Sequence, residues 1–260
     1  MLLLDLTLPT PAENLACDEA LLDFFEERGG EGLLRFWEPD NYFVVVGYAN
    51  QVEKEVNVAA CETGKIPILR RCSGGGTVLQ GPGCLNYSLV LRIEEGGPLA
   101  SITSANRFIM ERTRGGVESE IGDRRSEIGI EIRGCTDLAL ATRHTSQVTH
   151  LKFSGNAQRR KKHFLLFHGT FLLSFDIALI DKFLRMPSKE PDYRKGRSHT
   201  DFLTNLNLPA DAVKRALASV WNASDTPAGR RRSQVEVVPH DAIALLARDK
   251  YVTREWNFKF

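Results

Sequence analysis

Hydrophobic positions along this chain follow a helical period in a few stretches and an extended one in most of the others. Residues 11–27 open on Pro11 and place Leu15, Leu22 and Phe25 near one face, with Asp23, Glu26 and Glu27 near another. That spacing predicts an amphipathic helix stopped by Gly29 and Gly30. Residues 33–37 and 42–47 are aromatic and β-branched, and Pro39, Asp40 and Asn41 between them supply turn chemistry, so two strands joined by a short loop are expected. The apolar run 1–4 reads as an edge strand ended by Asp5, and residues 57–63 as a short helix ended by Gly64. Residues 85–93 are dense enough in apolar side chains for a strand buried on both faces.

Beyond that strand the pattern alternates less cleanly. A helix is expected over 101–114, then an irregular glycine-rich segment over 115–125. Ile128, Ile130 and Ile132 alternate with glycine or charge, a half-buried strand, and 137–140 reads as another. Residues 141–150 lack periodicity and read as a hairpin loop, 151–154 as a strand, and 155–158 as a small-residue turn. Residues 163–174 are strongly strand-like, with Gly169 marking a bulge or a close approach. Helices follow over 177–184, 209–221 and 239–250, separated by a long ordered loop over 186–199. Strands and helices do not alternate regularly, so the fold class is α+β rather than doubly wound.

Composition narrows the function classes. The 260 residues are 42% hydrophobic and 26% charged with a formal charge of +1, ordinary for a globular chain and without a global field for nucleic acid or membrane. No helix-turn-helix segment precedes the candidate catalytic region. The five cysteines, Cys17, Cys61, Cys72, Cys84 and Cys135, are odd in number and show no metal-binding spacing. They imply reduced thiols and a cytoplasmic setting. The run Arg230-Arg231-Arg232 follows loop residues and reads as a solvated surface.

Three stretches carry candidate chemistry. In Arg70-Arg71-Cys72-Ser73-Gly74-Gly75-Gly76-Thr77, consecutive glycines between strand-like segments suit a bend whose N–H groups converge on an anion. The two arginines could clamp a phosphate or carboxylate there, or simply be solvated on a tight hairpin. Lys152, in a strand before Ser154-Gly155-Asn156-Ala157, could stabilise negative charge developing on an oxygen, or be an exposed edge residue. His168, before Gly169 and Thr170 in an apolar run, suits a hydrogen-bonded core histidine or a residue beside a ligand. Spacing alone names no reaction.

Asn14-Leu15-Ala16 with Asp18-Glu19, the 70–77 bend, Asp137-Leu138, Lys152-Phe153-Ser154-Gly155-Asn156-Ala157 and His168-Gly169-Thr170 follow one another in a familiar order. In that order and at about that spacing they resemble the lipoate–protein ligase family, over residues 14–184. Its superfamily includes biotin ligases and octanoyltransferases. The resemblance implies one catalytic domain over 1–260 without a separate accessory domain, built of mixed β-sheets packed with helices around an apolar acyl tunnel. It implies that Arg70, Arg71, Ser73, Gly74, Gly75, Gly76 and Thr77 bind an acyl-adenylate, and that Lys152 bridges its carbonyl and phosphate oxygens. Ser154, Gly155, Asn156, Ala157, His168, Gly169 and Thr170 would line the same pocket.

The implied reaction activates lipoate or octanoate with ATP and Mg²⁺, without a protein metal motif, and attaches it to a lysine. The implied acceptors are lipoyl-domain proteins, such as the glycine-cleavage H protein or acyltransferase subunits of 2-oxoacid dehydrogenases. The run Arg159-Arg160-Lys161-Lys162 would sit at the pocket rim, meeting such acidic domains or water. Three features depart from the ligase pattern. Gln80 stands where many ligases have histidine, Gln80-Gly81-Pro82-Gly83 is similar to a segment of one octanoyltransferase group, and Cys135-Thr136 precedes Asp137 where many ligases have Arg-Asn. These imply an alternative, an octanoyl or lipoyl transferase using Cys135 as nucleophile, with acyl carrier protein or another lipoyl protein as donor. A non-catalytic lipoate-binding or lipoyl-domain-binding protein is the remaining alternative.

Overall fold

The computed structural model describes residues 1–121, 128–144, 147–224 and 238–260. The basic run 230–232 therefore lies outside the described residues. Helix α1, Pro11–Arg28, starts where the sequence signals it: Thr10 caps the Glu13 amide at 3.2 Å while the Glu13 carboxylate accepts from the Thr10 amide at 2.9 Å. Gly29 ends it with a φ of 70°.

Among the described residues a seven-stranded sheet runs in the order β1-β2-β6-β10-β9-β8-β7. These strands are β1 Leu2–Asp5, β2 Leu33–Trp37, β6 Cys84–Arg92, β7 Ile128–Arg133, β8 Asp137–His144, β9 Gln147–Arg160 and β10 Phe164–Leu172. Only β1 and β2 pair in parallel; the rest of this sheet is antiparallel. A three-stranded sheet takes β3 Phe43–Val46 between β4 Ile68–Arg70 and β5 Val78–Gln80. The strands β2 and β3, close in sequence, thus belong to different sheets.

Alternation along β6 and β10 shows how the larger sheet is covered. Val90, Phe164 and Leu166 join the apolar cluster of α1, whereas Leu89, Leu91, Leu165 and Phe167 join the opposite one with Ile109 and Leu217. Those last two come from α4 Ile102–Ile121 and α7 Ala210–Val220. Both faces are therefore dry, as the apolar density of residues 85–93 predicts. A third cluster joins the smaller sheet to α3 Val58–Gly64 and α5 Ala178–Phe183.

Several boundaries differ from the sequence reading. Helix α4 continues through Gly115 and Gly116 to Ile121, because a Cβ at Gly116 would stand 3.1 Å from Val220 of α7. Close helix packing thus offsets a propensity cost of about 1 kcal/mol per glycine. Helix α3 ends on Gly64, and Lys65 rather than glycine adopts the left-handed cap at φ 53°. Two short helices, α2 Val52–Glu55 and α6 His199–Phe202, were not signalled, and the helix expected last, α8 His240–Leu246, leads through a π turn, Ala247–Tyr251, to α9 Arg254–Asn257.

The stretches expected as a hairpin loop (141–150) and a small-residue turn (155–158) are strand instead, apart from 145–146, which lie outside the described residues. Gly155, Asn156 and Ala157 pair with Thr170, Gly169 and His168 of β10, so partner strands supply the hydrogen bonds that local sequence lacks. A bulge interrupts β9, where Ser154 opposes Leu138 but Lys152 opposes Ala139, leaving Phe153 as the extra residue. Gly169 is a close approach rather than a bulge: a Cβ there would fall 1.6 Å from Asn156 Oδ1.

Candidate active site

The bend after β4 is a crossover. Strands β4 and β5 lie on opposite sides of β3, so residues 71–77 pass over the end of β3 and do not form a tight hairpin. Neither arginine is solvated. Arg70 is completely buried and donates to five carbonyl oxygens, those of Gly47, Tyr48, Asn50, Trp256 and Asn257, at 2.8–3.1 Å. It lies outside the cavity wall. Arg71 does line the cavity, but its guanidinium is engaged by Gly74 O at 2.6 Å, Gly76 O at 2.7 Å and Ser73 Oγ at 3.2 Å. Burial pushes the Arg71 guanidinium down to about 10, so it remains a cation at neutral pH. The expected anion clamp is thus a clamp on backbone carbonyls.

The cavity beneath the bend measures about 410 Å³, ample for a small-molecule ligand. Leu15, Trp37 and Val45, which share one core cluster, give it an apolar wall. Gly75, Gly76 and Thr77 line it from the bend, and Lys152, Gly155, Asn156 and Ala157 from β9. His168, Gly169 and Thr170 line it from β10. Ser73, Gly74 and Ser154 lie outside the wall, Ser73 and Ser154 being buried behind it.

Two constellations give the cavity its polarity. In the first, Ser73 Oγ stands 2.6 Å from His168 Nε2, His168 Nδ1 stands 2.9 Å from Asp18 Oδ2, and Arg35 donates to Asp18 Oδ1 at 2.7 Å. Burial works to raise the Asp18 carboxyl, but the bond from His168 and the charge of Arg35 outweigh it and hold it below the ordinary carboxylate range. In the second, Lys152 Nζ pairs with Asp137 Oδ1 at 2.8 Å, and Tyr193 donates its hydroxyl to Asp137 Oδ2 at 2.9 Å. Burial, then Asp137, raise the Tyr193 phenol, so it stays a donor. Lys152 is no free edge residue. A Cβ at Gly155 would stand 2.8 Å from its Nζ, so glycine is what lets the ammonium lie against the strand.

Cys135, just before β8, lines the same cavity and is the one exposed thiol of the five. Burial pushes the others up, Cys17 and Cys61 to about 11 and Cys72 and Cys84 to about 12, which leaves them unreactive. A closed ring links the two sheets: Gln80 donates to Thr170 Oγ1 at 2.6 Å, Thr170 to Asn86 Oδ1 at 2.5 Å, and Asn86 to Gln80 Oε1 at 3.1 Å. Asn86 carried no signal in the sequence, because its pairing with β5 is a product of sheet packing.

The basic run at the end of β9 is partnered within the chain. Arg159 pairs with Glu19 at 3.3 Å and donates to Cys72 O, Arg160 donates to Leu99 O, and Lys161 pairs with Asp23. Among the described residues no group of three or more His, Cys, Asp or Glu could hold a metal ion, and no helix is long and apolar enough to cross a membrane.

The sequence profile of the lipoyl protein ligase A/B catalytic domain matches residues 10–219. The chain belongs to this family. It is 28% identical to the octanoyltransferase LipM of Carboxydothermus hydrogenoformans, covering 96% of this chain and 95% of that one. It is also 28% identical to the LipM of Bacillus subtilis, over 96% and 95%. Among solved structures it resembles a bipartite lipoate protein ligase from Thermoplasma acidophilum, with a TM-score of 0.76, 24% identity and coverage of 99% and 95%. It also resembles a lipoate-protein ligase A bound with ATP, with a TM-score of 0.71, 25% identity and coverage of 99% and 98%. These likenesses make this family member an α+β enzyme of lipoyl or octanoyl group transfer.

Proposed function

We propose that the protein is an octanoyltransferase that carries the acyl group on Cys135 and passes it to a lysine of a lipoyl-domain protein. The observation that carries this reading is the single exposed thiol on a cavity wall that also holds the Lys152–Asp137 pair. The LipM relatives, similar over nearly the whole chain, support it.

The chemistry runs in two transfers. A Cys135 thiolate attacks the carbonyl of a donor thioester, as on acyl carrier protein. A new C–S bond forms and the carbonyl π pair moves to oxygen. Collapse of the tetrahedral species breaks the donor's C–S bond, and the donor leaves as a thiolate that takes up a proton. The acceptor lysine, as free amine, then attacks the Cys135 thioester. A C–N bond forms, the C–S bond to Cys135 breaks, and the proton lost from nitrogen passes to solvent. The Lys152 ammonium lines the same cavity and stabilises negative charge as it develops on the acyl carbonyl oxygen. Asp137 holds that ammonium in place, and Leu15, Trp37 and Val45 take the acyl chain.

A second reading is ATP-dependent ligation of lipoate, favoured by the likeness to the ATP-bound ligase and by the open space at Gly74 and Gly76. With both arginines engaged by carbonyls, Lys152 and the bend's amides would have to hold the adenylate phosphate, with Mg²⁺ accompanying ATP. One experiment separates the two. The enzyme is incubated with octanoyl–acyl carrier protein and apo H protein without ATP, and intact-mass spectrometry follows both proteins. An octanoyl adduct on Cys135 and octanoylated H protein, both lost in Cys135→Ala, are expected. Lipoate-dependent ATP–pyrophosphate exchange that survives Cys135→Ala would replace the thioester reading with the ligase one.

A further inference from the structure

The 70–77 bend is one-sided in its hydrogen bonding. Its carbonyls are pinned: Arg70 O by Trp256 Nε1 at 2.8 Å, Cys72 O by Arg159 at 3.0 Å, Ser73 O by the Tyr48 amide at 2.8 Å, and Gly74 O and Gly76 O by Arg71. Its amides divide: those of Arg70 and Arg71 donate to Asn257 Oδ1 at 2.8 Å and Val46 O at 3.0 Å, whereas among the described residues nothing accepts from the N–H of Gly74, Gly75, Gly76 or Thr77. Peptide geometry joins these two facts. No peptide bond here is cis. In a trans unit the N–H of each residue points opposite to the preceding carbonyl. Drawing Gly74 O and Gly76 O onto Arg71 therefore turns the Gly75 and Thr77 amides away from it. Gly75 and Gly76 have no side chains, so it is backbone that forms the cavity wall there.

The Arg71 guanidinium is in turn fixed from behind. Its Nε donates to Ser73 Oγ. The same hydroxyl is hydrogen-bonded to His168 Nε2 at 2.6 Å. The other ring nitrogen, His168 Nδ1, is hydrogen-bonded to Asp18, an anion held by Arg35. The chain runs from α1 through β10 to the bend and holds the Arg71 guanidinium from behind.

We propose that Asp18, His168 and Ser73 form a positioning relay for Arg71, which by gathering two carbonyls presents the Gly75 and Thr77 amides as an oxyanion hole for the tetrahedral acyl intermediate. On this account Arg71 and His168 act through the backbone and neither gives nor takes a proton in the reaction. The inference deepens the acyl-transfer reading and rests on it. Preorganised amides aimed at developing charge contribute about 10²–10³-fold per donor in other acyl-transfer sites.

The test uses the full chain with Arg71→Lys, Ser73→Ala and His168→Gln. A lysine has no planar fork and cannot hold two carbonyls and a hydroxyl together. Three readouts are compared: kcat and KM for transfer from octanoyl–acyl carrier protein, inhibition by octanal, and the rate of Cys135 alkylation by iodoacetamide. Octanal adds to a thiol as a hemithioacetal whose oxygen occupies the oxyanion position, whereas alkylation by iodoacetamide forms no oxyanion. In Arg71→Lys, kcat should fall about 10²-fold with KM little changed, and octanal inhibition should weaken by a similar factor. Alkylation should keep its wild-type rate. Ser73→Ala and His168→Gln should show the same signature at smaller size. An equal fall in alkylation and transfer would mean a collapsed pocket and overturn the relay, as would unchanged kcat and octanal inhibition in Arg71→Lys. Failure of the nucleophile reading shows separately, as a wild-type Cys135 that takes up no octanoyl group; the kcat-against-KM split in Arg71→Lys, measured on lipoate and ATP, then decides the relay.

Discussion

The two polar constellations of the cavity have similar parts and opposite surroundings. Asp18, His168 and Ser73 are buried, and each side chain is held on both sides. The Lys152 and Asp137 side chains are 25% and 15% exposed, and Cys135 beside them is open to solvent. Buried and fully paired groups hold geometry, because any change leaves a polar atom unsatisfied in a low-dielectric interior. Groups with a wet face can change partner, as the thioester route proposed for Cys135 requires of its thiol and of the Lys152 ammonium. On that proposal a histidine bonded to a serine and an aspartate is no guide to the nucleophile. Exposure is the better one.

This contrast can be broken from either side. Cys135→Ala should lower octanoyl transfer by about 10³-fold or more, the scale of removing a covalent nucleophile. Its melting temperature should stay at the wild-type value, since the side chain is exposed. Asp18→Asn should act on stability as well and cost about 3–5 kcal/mol in denaturant titration, because Arg35 is left buried with its countercharge gone. The pH dependence sharpens that test. The Asp18 carboxyl is held low in the folded state, so its contribution is present above the unfolded carboxylate value of about 4 and is lost as pH falls through the folded one. Asp18→Asn should flatten this acid limb.

Gly169→Ala tests the close approach in β10. A methyl there collides with Asn156 Oδ1, which also accepts from Tyr87 at 2.7 Å, so a loss of about 2–3 kcal/mol is expected on thermal or urea unfolding. The smallest effect should come from Tyr193→Phe. It removes one hydrogen bond to Asp137, worth about 1 kcal/mol, and frees the carboxylate to draw Lys152 closer. Transfer should fall a few-fold in a steady-state assay; an unchanged rate would detach Tyr193 from the reactive pair.

Much of the larger sheet was legible because its cause is local. The apolar density of residues 85–93 predicts a strand covered on both faces, and β6 is one. Where the cause lies elsewhere in the chain, local reading fails. Helix α4 passes Gly115 and Gly116 because α7 waits beside it, and Gly155 to Ala157 are strand because β10 pairs with them. The site divides in the same way. Lys152 and the triple glycine stand out by residue type, and Lys152, Gly75 and Gly76 line the cavity. The role of Arg70 and Arg71 does not show in residue type, because it depends on where the carbonyls of Gly47, Asn50, Gly74 and Gly76 end up. Two adjacent arginines beside glycines look like an anion clamp until the acceptors can be counted.

The contact between α9 and Arg70 sets an order of events during synthesis. Trp256 follows Arg70 by 186 positions, which at about 5–20 residues per second is about 10–40 s on the ribosome. Through that interval the guanidinium lacks the carbonyls of Trp256 and Asn257, and the base of the bend is unset. A nascent chain already long enough to fold its sheet would therefore complete the support of Arg70 only when α9 docks, in one late step.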